Sequence, residues 1–142
     1  MHSFSKTLAL AAFALFLSNP AWAETTHLSA QLSTAAEIPA KSGPGIGSVD
    51  AILDTASGKL KYTITYDGLS GRATAAHFHG PASASESAGV VVKITGDLTS
   101  PIEGEAMLTP EQANALMAGR WYVNIHTANN PSGEIRGQLM KK

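Results

Sequence analysis

With ten Lys and Arg set against eleven Asp and Glu over 142 residues, the chain is nearly neutral and carries no basic run. That excludes the electrostatic footprint of a nucleic-acid-binding protein. Cysteine is absent, so thiolate catalysis, Cys-ligated metal centres and a disulfide scaffold are excluded as well, and core packing must hold any fold together.

In chain order, Lys6 precedes an apolar run over residues 8–17, Asn19-Pro20 breaks it, and Ala21-Trp22-Ala23 supplies a small-x-small cleavage pattern. This predicts a signal peptide over residues 1–23 and a periplasmic or secreted mature chain, residues 24–142. The apolar run is shorter than the roughly 20 residues that span a bilayer, so no membrane span is expected after its removal. Short strands separated by turn chemistry follow. Residues 27–33 alternate, 42–47 are punctuated by Gly and Pro, and Val49, Ala51 and Leu53 alternate again. Leu60, Tyr62, Ile64 and Tyr66 give the cleanest period-2 strand. Further strands are read at 73–79, 90–94 and 103–108, with a small polar loop at 81–89. Thr109-Pro110-Glu111-Gln112 is a capping-box pattern that starts a helix running to about Ala118 and ending on Gly119. Strands at 120–127 and 134–140 close the chain. The fold class is all-β: a Greek-key-like antiparallel β-sandwich of about eight strands with one short helix.

Two strands carry the chemistry. In Ala76-His77-Phe78-His79-Gly80, His77 and His79 share one face and Phe78 takes the other. In the second strand Tyr122, Asn124 and His126 oppose Trp121, Val123 and Ile125. The apolar sets are natural core, which places His77, His79 and His126 on the polar side. Three imidazoles converging there suit copper or zinc and leave an open coordination position. Asn124 shares that face and would hydrogen-bond a ligand imidazole. The bland alternative has the histidines bonding backbone carbonyls of the 81–89 and 128–133 loops. Arg136 has the fork to bind an anion, although an exposed Glu134–Arg136 pair of little consequence is the commoner outcome. Met107, Met117 and Met140 read as core filler. No Gly-x-Ser-x-Gly elbow and no marked carboxylate dyad supports hydrolysis.

Glu37-Ile38-Pro39, Ala75-Ala76-His77-Phe78-His79-Gly80, residues 118–127 and Gly133-Glu134-Ile135-Arg136-Gly137-Gln138-Leu139 resemble, in that order, the motifs of the CHRD domain, named for the repeats of chordin. The resemblance implies an exported binding domain. Chordin's cysteine-rich growth-factor modules have no counterpart here. The order of histidines and a late glycine-flanked arginine is also similar to copper/zinc superoxide dismutase, with His77, His79 and His126 as copper ligands and Arg136 guiding an anion. The bridging histidine, the zinc ligands and the disulfide of that enzyme are missing. Three functions are therefore in play: a non-catalytic binding protein for an unknown protein or small ligand, with a mononuclear copper or zinc site; a copper-dependent redox enzyme; and a metal-free structural or adhesive domain.

Overall fold

The computed structural model describes residues 24–142, and the predicted signal peptide over residues 1–23 lies outside them. In chain order come β1 (Thr25–Ser33), β2 (Ile46–Asp54), β3 (Lys59–Asp67), β4 (Ala73–His79), β5 (Val90–Ile94), β6 (Ile102–Met107), α1 (Pro110–Met117), β7 (Tyr122–Thr127), β8 (Ile135–Gln138) and β9 (Met140–Lys141). All pairings are antiparallel, and the strands join in the order β5-β4-β7-β8-β1-β2-β3-β6, with β9 also on β1. The connections β3–β4, β5–β6 and β6–α1–β7 each cross from one half of this path to the other, as expected of a Greek-key-like chain.

The sheet curls so that both halves bury one inner face. Alternate residues supply it: Leu28, Ala30 and Leu32 from β1, Leu60, Tyr62 and Ile64 from β3, Ala76 and Phe78 from β4, Val123 and Ile125 from β7. The Tyr62 and Phe78 rings meet edge-on across the interior with centroids 4.9 Å apart. Each fully buried Leu, Ile or Phe contributes roughly 1.5–3 kcal/mol, and Phe78→Ala would cost about 3–5 kcal/mol. The helix starts as the capping box dictates, with Thr109 and Gln112 exchanging bonds, and buries Ala113 and Leu116.

The differences from the sequence reading have local causes. β2 begins at Ile46, inside the expected loop, because Gly47 lets the chain approach β3: a Cβ there would stand 2.7 Å from the Thr65 carbonyl oxygen. β7 begins at Tyr122 because the Arg120 amide still bonds the Ala115 carbonyl of the helix end. The last predicted strand is two, since the Leu139 amide turns to the Trp121 carbonyl and its side chain enters the core. Met107 and Met140, expected as core filler, are exposed: Met107 ends an edge strand, and Met140 lies over Gly119.

Candidate metal centre

Strand parity sends His77 and His79 out of the core from β4, and Tyr122, Asn124 and His126 out from β7. Register then lines them up: His77 pairs with Asn124, His79 with Tyr122 and Ala75 with His126, while Asn124 and Tyr122 pair in turn with Arg136 and Gln138 of β8. An outward face is ordinarily wet. Here His79, Tyr122, Asn124 and Arg136 are buried, because the 80–89 loop folds back over them.

That loop is tied down by side chains. Arg136 Nη2 donates to the Ser83 and Glu86 carbonyls at 3.3 and 2.5 Å, and Gln138 Nε2 donates to the Ala82 and Gly119 carbonyls, both at 2.8 Å. Tyr122 Oη donates to the Ala88 carbonyl at 3.2 Å. The Tyr122 ring is sandwiched, with the Arg136 guanidinium carbon 3.5 Å from its centroid and the His79 ring stacked in parallel with centroids 4.7 Å apart. The Arg136 fork is thus taken up by loop carbonyls and an aromatic face.

The three imidazoles come together, each with one candidate ligand nitrogen and all three nitrogens within 4.8 Å of one another. His77 Nδ1 lies 3.1 Å from His126 Nε2. The outer nitrogens of the other pair are committed: His79 Nδ1 lies 3.0 Å from the Ala88 carbonyl and His126 Nδ1 lies 2.8 Å from that of Pro131. A carbonyl only accepts, so both nitrogens must donate, and both neutral rings then point an Nε2 lone pair inward. Each Nε2 meets the same atom, Asn124 Oδ1, at 2.9 and 3.0 Å. Asn124 keeps this orientation because its Nδ2 faces the Ser132 carbonyl at 3.5 Å, which the exchanged oxygen would oppose. His79 Nε2, His126 Nε2 and Asn124 Oδ1 therefore converge as acceptors, with His77 Nδ1 beside them as the one ring nitrogen whose tautomer no carbonyl fixes, an arrangement that a cation would satisfy. Burial, with the neighbouring histidines adding to it, pushes the pKa of His77 below the ordinary range. Burial likewise lowers that of His79, against the opposing bonds to Ala88 and Asn124.

The expected exposed Glu134–Arg136 pair is not found. Both side chains are 2 % exposed, and Glu134 binds Ser70, Thr127 and Asn130 instead. Glu37 was not foreseen at the site, although it opens the Glu37-Ile38-Pro39 motif. Its Oε1 is buried without a hydrogen-bond partner, close to Asn124 Nδ2 across the space that Gly133 leaves free. Burial raises its pKa, with the Arg136 charge and the Asn124 amide pulling the other way.

The fold and this cluster define an antiparallel β-sandwich domain with a three-histidine centre on the outer face of one half. The model of the CHRD domain matches residues 28–139, and the chain belongs to the CHRD domain family. No curated protein and no solved structure matches the chain. Among the described residues, no helix is long and apolar enough to cross a membrane.

Proposed function

We propose that this chain is an exported CHRD-domain binding protein that holds one copper or zinc ion through His77, His79 and His126. One observation carries the reading: two imidazoles have their outer nitrogens committed as donors to backbone carbonyls, which aims their inner lone pairs at a shared point. Metal-bound histidines are oriented in this manner by partners on the far ring nitrogen. Three neutral imidazoles without thiolate suit copper or zinc among the common metals. Export rests on the leader pattern of residues 1–23.

The test is copper and zinc content per chain of tag-free protein from its native compartment, followed by titration of the metal-free form. About one ion per chain, lost in the H77A/H126A double variant with the fold retained, supports the reading. Unchanged stoichiometry in that variant sinks it. A second, metal-free structural reading draws on the same carbonyl bonds, since His79 and His126 also strap the 80–89 and 128–133 loops to the sheet. It requires that no metal binds on titration and that each histidine substitution costs only stability, about 0.5–1.5 kcal/mol per lost bond.

A further inference from the structure

The centre has an inward-facing acceptor that is not a histidine, and a buried acid stands behind it. Asn124 Oδ1 is the one non-histidine atom within hydrogen-bond distance of two inner nitrogens, 2.9 Å from His79 Nε2 and 3.0 Å from His126 Nε2. Ligand atoms around a tetrahedral ion with bonds of about 2.0–2.1 Å stand roughly 3.3 Å apart. The oxygen is therefore placed to join the imidazoles with little movement. An amide can present either its oxygen or its nitrogen, so something must fix the choice. The Ser132 carbonyl does so weakly, at 3.5 Å from Nδ2. Glu37 supplies the second constraint: the residue is 6 % exposed, its Oε1 has no hydrogen-bond partner, and that oxygen lies beside the nitrogen end of the amide. Gly133 makes the approach feasible. Its φ is +125°, and a Cβ there would collide with Glu37 Oε1 and lie 2.6 Å from Asn124 Nδ2.

We propose that Asn124 contributes its amide oxygen as the fourth ligand of the three-histidine centre, and that Glu37 is the positioning residue that holds the oxygen inward. The inference rests on the metal reading above and deepens it. With four protein donors the ion has no open position, so the site takes a metal for holding rather than for binding small oxidants. The ion also secures both loops: ligation at Nε2 keeps the proton on Nδ1, where it bonds the Ala88 and Pro131 carbonyls.

Cobalt(II) and zinc(II) are the probes, with the tag-free protein carrying the full 24–142 region. Cobalt(II) bound to the wild type should give the intense visible absorption of four-coordination, unchanged by added azide. N124A should weaken zinc binding on the order of 10–100-fold and make the cobalt spectrum azide-sensitive. N124D keeps an oxygen at the same point but sets its second oxygen against Glu37 and the Ser132 carbonyl, and should bind zinc more tightly than N124A. E37A should weaken binding several-fold with Asn124 present and by clearly less in the N124D background. Charge loss alone would act equally in both backgrounds. Wild-type cobalt protein that binds azide, or N124A with unchanged zinc affinity, overturns the inference while leaving the three-histidine site standing. The azide experiment on wild type needs no variant to fold. Failure of the wild type to bind either ion overturns both.

Discussion

Glu134 and Glu37 are both buried carboxyls in the same half of the domain, and their surroundings are opposite. Glu134 accepts from the Ser70 amide at 2.7 Å, the Ser70 hydroxyl at 2.6 Å, the Thr127 hydroxyl at 2.5 Å and the Asn130 amide at 3.1 Å. Burial pushes its pKa up, yet those bonds together hold it below the ordinary range. Glu37 has an orphan oxygen, and burial raises its pKa in spite of Arg136 and Asn124. A buried charge with every lone pair used is part of the fold. One short of partners is a standing cost, and its place beside Asn124 and the histidines points to use at the site.

The largest effect that would sharpen this contrast is expected at Glu134. E134A strands the donors of Ser70, Thr127 and Asn130 and should cost about 3 kcal/mol or more, read as a lower urea midpoint. The same bonds fix a pH dependence. A carboxyl whose folded pKa is depressed adds stability above the ordinary glutamate value, about 4.3, and loses it as pH falls towards the folded value. The gap between wild type and E134Q should therefore narrow on acidification through that window. A gap independent of pH would show that Glu134 acts by packing alone. G133A comes next, at about 2–3 kcal/mol, from the positive φ together with the collision at Glu37 and Asn124. In an E37A background the Glu37 part of the collision should disappear and the cost shrink. Equal cost in both backgrounds would break the link between Gly133 and Glu37.

Much of the fold and the histidine face was legible because period-2 alternation records burial directly. Phe78 against His77 and His79, and Val123 and Ile125 against Asn124 and His126, sorted core from site without any knowledge of which strands pair. Register was not legible. That β4 and β7 are neighbours, with His77 opposite Asn124, depends on crossings of the chain that no local pattern encodes. Nor was the cover over the outer face: Arg136 and Glu134 read as exposed because the sequence does not say that loop 80–89 folds back and that Ser70 reaches Glu134. Glu37 was missed for the same reason. Its motif was visible, but its target lies on β7, far along the chain, and is reached only through the gap at Gly133.

The smallest expected effect is the most discriminating. In metal-free protein E37Q replaces a poorly partnered acid with a neutral amide of the same shape. An acid whose folded pKa is raised binds its proton more tightly in the native state, so its ionisation lowers stability as pH rises from the ordinary glutamate range to the folded value. E37Q escapes that loss. It should match wild type at acid pH, and at pH 7 be equal to it or more stable by no more than about 1 kcal/mol, by thermal or urea unfolding across the range. E134Q should go the other way, falling further below wild type as pH rises through the glutamate range. If E37Q instead destabilises the neutral protein by as much as E134Q does, Glu37 is a structural carboxylate like Glu134. The fold would then account for both acids, and the positioning role at Asn124 would lose its physical motive.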